Sequence, residues 1–475
     1  MVLALFWLCA FAAIWCPIRI AVYIFLISIS FGTFAVIPLD VTKGVSFVPV
    51  IIISPIIVVR LMYKSAPADL QDATLNWRHL GLLAFFCLYA LTLTVVAPRI
   101  FGGAPTIGLN TQQETPLAPG FGNVTQTLYL LNSCLLALGT YLLLLQQSGR
   151  EIFRKGLILG GMAIVLSGVA DMLTYGSTIL DPLRTAPYAL LGNADMAGMR
   201  RVIGLQPEAS SFGYATLSFA ATLLFARPAQ TLSAGWQVLA ALTGWSCLFM
   251  AALSTSSGAI MGICLLFAIL AGDTVVLAVA GRTALDQRIL RSNVLVLAGL
   301  AVGLGLMVTV LPDVGSQLLR IFDAAILQKS GSSSYEERSY WNSVSLDGLK
   351  ATGGFGLGIG STRASSWIVA ILCATGLIGS LLLALFILNA FRQPLAHLDP
   401  ADRLFVRGTR RALVIAFLPL VGSAPSADFG VQIAMMFAVM TAIPAALAGH
   451  PSGRKPLPGL RHAVARPRAH RSIGA

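Results

Sequence analysis

Long apolar segments alternate with short polar connections from the first residue of the chain to about residue 449. Most segments have the roughly 20 apolar residues that a helix needs to cross a bilayer. We place spans near 2–16, 18–37, 44–63, 79–97, 126–146, 156–175, 210–226, 232–252, 257–280, 293–312, 365–391, 411–423 and 430–449. The first segment and 411–423 are short, so twelve and fourteen spans are alternatives to thirteen. The pattern predicts an all-α polytopic membrane protein.

Composition supports this class of protein. With 56% hydrophobic residues, 11% charged residues and a mean hydropathy of +0.81, the chain is not an ordinary soluble domain. Residues 1–449 are predicted to form one helical membrane domain, and the proline-rich segment 450–475 a disordered basic cytoplasmic tail. The first segment lacks a basic start and a second follows at once, which favours an uncleaved helix over a signal peptide.

The distribution of lysine and arginine predicts the orientation. One alternating set of connections, together with the tail, contains 22 of the 32 basic residues and is therefore assigned to the cytoplasm. The net charge of +13 then faces membrane lipid at the inner surface, and nucleic acid is not an expected partner. The seven cysteines lie in apolar segments without ligand or disulfide spacing, so no metal or cofactor is expected.

Three of the opposite, outer connections are long, at about 98–125, 176–209 and 313–364. Long connections that carry arginine against the charge rule are where function is expected. The first is rich in Gly, Pro, Thr and Gln, and we interpret it as a flexible cover without chemistry.

The second outer connection contains the pair Arg200-Arg201 and ends at Glu208, at the start of a helix. A carboxylate at this place can activate a hydroxyl while the arginines hold an anion. The alternative is structural: Ser210 and Ser211 cap the helix, and Glu208 suits the positive end of its dipole.

The third outer connection combines an amphipathic segment, 315–328, with a second predicted helix that begins at 332–334 and contains Arg338. The residues near Arg338 on this helix are Tyr340, Trp341 and Asn342. Arginine beside aromatic and amide side chains suits the recognition of phosphate and sugar. The alternative is an interfacial helix whose aromatic residues anchor at the lipid headgroups.

The glycine-rich run Gly353–Gly360 has neither a preceding strand nor the lysine of a phosphate loop, so a nucleotide is not expected. It predicts a tight re-entry into the membrane, with Arg363 offering donors at the start of the next helix. Asp171 lies near the outer end of its span. Asp428 lies at another outer rim and could face the same cavity.

Three blocks make the chain similar to the O-antigen ligase and Wzy-type polysaccharide polymerase superfamily of bacterial inner-membrane proteins. They are Arg201-Val-Ile-Gly-Leu-Gln-Pro-Glu-Ala-Ser, Leu253-Ser-Thr-Ser-Ser-Gly-Ala, and Glu337-Arg-Ser-Tyr-Trp-Asn with Gly356-Leu-Gly-Ile-Gly-Ser-Thr-Arg-Ala-Ser-Ser, leading to Thr375-Gly-Leu-Ile-Gly. The likeness covers about residues 195–390, and the N-terminal third agrees only in hydropathy. The superfamily's plan of about twelve spans with a large outer loop before the last few also agrees.

The resemblance implies a metal-independent glycosyltransferase that acts at the periplasmic face on glycans linked to undecaprenyl pyrophosphate. Its product would be exopolysaccharide or O-antigen, and a flippase and a chain-length co-polymerase are the partners it suggests. By position, Arg201 and Arg338 would hold the pyrophosphate, with Arg200 and Arg363 as supports. Glu208 is the candidate that orients or deprotonates the acceptor hydroxyl. The remaining members of the predicted substrate-binding set are Tyr340, Trp341 and Asn342.

One departure from the superfamily favours a polymerase over a ligase. Ligases are expected to carry a histidine in the large outer loop, and none of the five histidines here is predicted to lie outside. A further alternative is a secondary transporter or flippase of lipid-linked glycans. That class predicts polar residues along the span interiors, whereas here they concentrate at the outer rims.

Overall fold

The computed structural model describes residues 2–42, 46–109, 111–186, 195–196, 199–281, 284–310 and 333–448. Its helices are α1 Val2–Trp15, α2 Ile18–Ser28, α3 Pro49–Lys64, α4 Pro67–Leu75, α5 Gly81–Ile100, α6 Phe121–Leu144, α7 Gln147–Leu173, α8 Ala209–Ala221, α9 Ala234–Leu253, α10 Ser257–Ala280, α11 Ala284–Val310, α12 Ser333–Ala351, α13 Trp367–Arg392, α14 Pro400–Ser423 and α15 Gly430–Ala448. Two short antiparallel hairpins pair β1 Pro105–Ile107 with β2 Glu114–Pro116 and β3 Asp195–Met196 with β4 Met199–Arg200. The predicted helical class is confirmed.

Eight of the described helices are long and apolar enough to cross a membrane: α5, α6, α7, α8 with its π-helical extension Thr222–Ala226, α9, α10, α13 and α15. The pair α3 and α4 is bent by 119° and adds a ninth if it is one broken span. Helices α1, α2 and part of α11 are apolar but shorter. Every predicted span overlaps a helix, and in the described part of the chain eight or nine meet the criteria for crossing.

The second predicted span, 18–37, is wrong in its C-terminal half. Helix α2 ends at Ser28, and residues 29–42 form turns. The polar groups of these turns bond to the second outer connection: Thr33 N donates to Leu205 O at 3.0 Å, and Gln206 Nε2 donates to Ile29 O at 2.9 Å. Because buried backbone groups need partners, this segment depends on residues 205–206 rather than on a helical ladder.

Glycines let the central helices approach each other closely. A Cβ added at Gly160 of α7 would lie 2.7 Å from Leu26 O of α2, and one at Gly139 of α6 would lie 2.9 Å from Val58 Cγ2 of α3. Small residues at helix contacts are typical of membrane bundles, in which packing rather than hydrophobicity drives association.

The two ends of the bundle differ in character. The end that contains residues 101–109, 111–120, 199–208, 352–366 and 424–429 is called the loop end. There, Arg363 N donates to Ile107 O, and Ala364 N donates to Pro425 O. At the opposite, basic end, arginines join the helices. The buried Arg154 of α7 pairs there with Asp402 of α14, and Arg411 pairs with Asp273 of α10 at 2.6 Å.

The first outer connection folds into the β1–β2 hairpin. Ile107 is fully buried against Trp341 and Val344 of α12, and Leu117 packs in a second cluster that includes Leu349. The prediction of a flexible cover did not include these contacts. The amphipathic segment 315–328 and the tail 450–475 lie outside the described residues.

Candidate functional site

Glu208 immediately precedes α8 and is its N-cap residue, with extended φ and ψ of −152° and 164°. Its carboxylate makes no capping hydrogen bond to the helix and instead accepts one from Ser210 Oγ. The expectation that Ser210 and Ser211 cap the helix is therefore wrong, because the capping position belongs to Glu208. Its side chain is only partly buried and lines a cavity.

This cavity has a volume of about 390 Å³ and lies at the loop end, among the starts of α8, α10 and α15 and the end of α14. Its hydroxyl and carboxyl groups belong to Glu208, Ser210, Ser211, Tyr214, Ser256, Ser426 and Asp428. Apolar side chains such as Ile29 and Leu420 form other parts of its wall. Hydrogen-bonding groups on an apolar wall are typical of sites for small organic ligands. Asp428, which the sequence analysis placed at an outer rim, lines this cavity together with Glu208.

Asp428 lies in the connection between α14 and α15, and Trp367 Nε1 donates to its backbone oxygen at 3.2 Å. Its Oδ1 atom is buried without a hydrogen-bond partner among the described residues. Burial raises the pKa of the Asp428 carboxyl to about 6, although hydrogen bonds from Ser133 and from the Gly430 and Phe429 amides oppose the shift. A carboxyl with a pKa in this range is suited to exchanging a proton near neutral pH.

Arg201 is held at the base of the second outer connection. Its Nε donates to Ser254 O at 3.3 Å, and the next residue, Val202, donates its amide to Leu253 O at 3.2 Å. Burial lowers the pKa of the Arg201 guanidinium, and the charge of Glu208 opposes that shift. Two of the three sequence blocks described above, at 201–210 and 253–259, are therefore in contact.

Arg363 comes from the third block and rests on an aromatic face. Its guanidinium carbon lies 4.7 Å from the centroid of the Trp341 ring, and its Nη1 donates to Leu109 O at 3.4 Å. Burial lowers the pKa of the Arg363 guanidinium. The positive charge of Arg338 lowers this pKa further, and the negative charges of Glu337 and Glu208 raise it. Glu208 therefore acts electrostatically on two half-buried arginines that come from different blocks.

Arg338 lies on α12, half-buried, within electrostatic reach of Arg363. It has no hydrogen bond or ion pair to any other residue of the described ranges that the structure shows. An arginine that has no partner among the described residues and lies near a second arginine can receive an anion from outside the protein.

Arg200 is placed differently from the other predicted arginines. Its Nη2 donates to Asp171 Oδ1 at 2.9 Å, and Arg184 Nη2 donates to the same oxygen at 2.8 Å. The second oxygen of Asp171 accepts the amides of Ile203 and Gly204 at 3.0 and 3.1 Å. This buried carboxylate therefore shapes the backbone next to Arg201, and Arg200 contributes to that arrangement.

The three remaining predicted residues bond within the protein. Tyr340 is half-exposed and donates from its hydroxyl to Glu114 Oε2 at 3.1 Å, and Asn342 Oδ1 accepts the Ser365 amide at 2.8 Å. Trp341 is buried beneath Arg363. These contacts join α12 to the β1–β2 hairpin and to the turn at 363–365.

The glycine-rich run passes tightly across the helix ends. Gly376 of α13 has a left-handed φ of 65°, which breaks the helix, and a Cβ there would lie 2.0 Å from Phe355 O. Leu357 N and Gly358 N donate to Cys373 O and Ala374 O, which this break frees. These backbone hydrogen bonds therefore position the run and, with it, Arg363. The Thr362 hydroxyl accepts a hydrogen bond from Ile107 N and shares another with Ser345 Oγ.

Sequence reasoning missed several residues that position the site. Thr33 and Gln206 link the turns after α2 to the second outer connection, and Arg184 shares Asp171 with Arg200. Of these residues, only Arg184 could have been found from the sequence, because it is a third arginine in the second outer connection. In the described ranges, no three His, Cys, Asp or Glu side chains are grouped as metal ligands.

The arrangement can bind an anion through Arg201, Arg338 and Arg363 and can accept a proton at Glu208 or Asp428. Compared with models of known protein families and with the sequences of curated proteins, the chain matches none.

Proposed function

We propose that this protein polymerises oligosaccharide repeat units linked to undecaprenyl pyrophosphate into exopolysaccharide or O-antigen. The observation that carries the proposal is the position of Glu208, which lines a hydroxyl-rich cavity while its charge acts on both Arg201 and Arg363. A group-transfer enzyme with an anionic leaving group needs a base that accepts the acceptor's proton and, beside it, positive groups that stabilise the leaving anion.

The reaction is a glycosyl transfer. The oxygen of an acceptor sugar hydroxyl bonds to the anomeric carbon of the donor glycan. The bond from that carbon to the pyrophosphate oxygen breaks, and its electron pair remains on the pyrophosphate. The hydroxyl proton passes to the Glu208 carboxylate and then to water. The products are a glycan longer by the transferred unit and free undecaprenyl pyrophosphate.

Fixed guanidinium groups stabilise the departing pyrophosphate. Arg201 and Arg363 are held by Ser254 O and the Trp341 ring, so little reorganisation accompanies the reaction. Arg338 has no described partner to give up before it binds the anion. Removing one preorganised donor from such a site typically costs about 100- to 1,000-fold in rate.

The membrane supplies the rest of the setting. The carrier's polyprenyl chain remains in the bilayer beside apolar helices, and the sugars enter from the loop end. We place the protein in the bacterial inner membrane with the basic end in the cytoplasm, because lysine and arginine favour that side. The active face is then periplasmic.

Polymerisation is favoured over ligation by the placement of histidine. His79 pairs with Asp72, and His397 Nε2 lies 3.0 Å from Pro444 O; both are at the basic end. No histidine of the described residues lines the cavity.

The proposal is tested in a strain that lacks the gene and carries plasmid copies of it. Arg201→Ala and Arg338→Ala should each abolish long glycan while the protein remains in the membrane fraction. Arg407→Ala is the matched control, because Arg407 is exposed on α14 near the basic end, away from the cavity. Wild-type levels of long glycan in both loop-end variants would refute the assignment.

A further inference from the structure

A second cavity, of about 230 Å³, lies at the basic end between the π-helical turn after α8 and helices α9, α10 and α11. It is separate from the site described above and shares no lining residue with it. On α9 its wall is formed in part by Gln237, Ala241 and Trp245, all of them exposed. The cavity is therefore a cleft that opens sideways, towards the lipid that surrounds α9.

The polarity of this cleft changes along its length. Gln237, Ala241 and Trp245 are four residues apart, which spaces them over about 12 Å of helix. The polar Gln237 is nearest the basic end, and the apolar residues lie deeper. On α11 the same order holds, from Ser292 and Asn293 to Val296. A polar mouth above an apolar groove has the polarity of a phospholipid.

The described residues that line the cleft include one guanidinium group, that of Arg227, and no carboxylate. Asp273 is paired with Arg411 at 2.6 Å, so two arginines, Arg227 and Arg411, share one carboxylate. The hydrogen bond from Arg227 Nη2 goes to a neutral acceptor, Asn293 Oδ1, at a long 3.3 Å. Burial lowers the pKa of the Arg227 guanidinium. The positive charge of Arg411 lowers this pKa further, and the negative charge of Asp273 raises it. Among the residues that the structure describes, Arg227 therefore has no ion pair of its own.

The backbone at Arg227 is unusual as well. The π-helical turn Thr222–Ala226 ends in Arg227, whose φ of 46° is left-handed. A residue other than glycine costs about 1–2 kcal/mol in this conformation. Such outliers and π turns concentrate at functional sites.

We propose that this cleft binds one anionic phospholipid from the leaflet at the basic end, its phosphate on Arg227 and an acyl chain along Ala241 and Trp245. The cleft, at about 230 Å³, is smaller than a pocket that encloses a whole ligand, which typically has roughly 300–1,000 Å³. It holds the phosphate and the start of one chain, and the remainder stays in the bilayer. A free phosphate would leave the apolar groove unused.

Native mass spectrometry of the purified full-length protein tests this, with phosphatidylglycerol or phosphatidylcholine added in equal amounts. The wild type should retain one phosphatidylglycerol at least 10-fold more than phosphatidylcholine. Arg227→Gln should reduce that preference at least 5-fold, whereas the control Arg407→Gln, an exposed arginine near the same end, should not. Ala241→Trp, which fills the groove and keeps the charge, should weaken both lipids.

Equal retention of the two lipids by the wild type would overturn the proposal, as would an Arg227→Gln variant with unchanged preference. Inorganic phosphate at millimolar concentration is the third arm. If it displaces the bound phosphatidylglycerol as well as added lipid does, the cleft is a phosphate site and the lipid assignment is wrong. Should Arg227→Gln fail to fold, Ala241→Trp decides alone: undiminished lipid retention in that variant also overturns the proposal.

Discussion

The carboxylate of Glu208, just before a helix, is compatible with two roles: capping the helix or accepting a proton in the cavity. The position of its side chain separates them. A capping role needs a hydrogen bond to the first amides of α8, and that bond is missing. The carboxylate instead meets Ser210 and the cavity. Sequence identifies such a residue as a candidate, but only the side-chain position separates the roles.

Glu208→Gln should therefore reduce glycan polymerisation by about 100-fold or more, the usual cost of losing a general base, while the protein stays folded. The rate and the melting temperature are measured on the same purified preparation. Ser210→Ala, which removes only the donor to Glu208, is the control and should lose less than 10-fold. A Glu208→Gln variant that melts earlier but polymerises at the normal rate would show that the residue is structural.

Asp428 makes stability depend on pH. Its pKa is raised to about 6 in the folded protein, from about 4 when unfolded, so burial of the ionised form is unfavourable. The contribution of the protonated carboxyl is fully present below pH 4 and is lost as pH rises through 6. Asp428→Asn should then stabilise the protein at pH 8, by up to about 3 kcal/mol, and not at pH 4.

Thermal unfolding of the two proteins between pH 4 and 8 measures this difference. A gain in melting temperature that is the same at both ends of the range would contradict the raised pKa. An Asp428→Asn variant less stable than the wild type at pH 8 would do so as well.

At the level of elements, the break in α13 determines where Arg363 lies. The glycine-rich run bonds to the carbonyl groups that the break at Gly376 exposes, and the chain then turns towards Ile107 and Trp341. The sequence predicted helix α12, which the structure shows; the re-entry of the glycine-rich run into the membrane stays a prediction. It did not predict where the glycine run bonds, because the carbonyl groups of Cys373 and Ala374 are freed by a single non-helical residue, Gly376, within an apolar segment.

Gly376→Ala should destabilise this end of the molecule. The left-handed φ costs alanine about 1–2 kcal/mol, and the added Cβ would also collide with Phe355 O. Gly272→Ala is the matched control, because Gly272 lies within α10 with nothing within 4 Å of an added Cβ. That change should be neutral or stabilising by up to about 1 kcal/mol. Equal unfolding transitions for the two variants would contradict the account of the break.

For the whole molecule, apolar segments predicted the helices, and the three motif blocks supplied most of the candidate site residues. What could not be predicted is how distant segments converge, because hydropathy has no information on contacts between them. Arg201 meets Ser254, 53 residues further on, and the hairpin around Ile107 meets Trp341 of α12. Residues that are adjacent in the sequence can also lie in different surroundings, which hydropathy does not predict either. Arg201 is within electrostatic reach of Glu208, whereas Arg200 pairs with Asp171.

The most direct test of the central claim is reconstitution of the purified protein in liposomes with lipid-linked repeat units extracted from a strain that lacks the gene. We expect the wild type to produce a ladder of longer glycans together with free undecaprenyl pyrophosphate. Arg201→Ala and Arg338→Ala should produce neither, and Arg407→Ala should behave as the wild type. If the wild type leaves the units unjoined, or only moves them across the bilayer, the protein is not a polymerase.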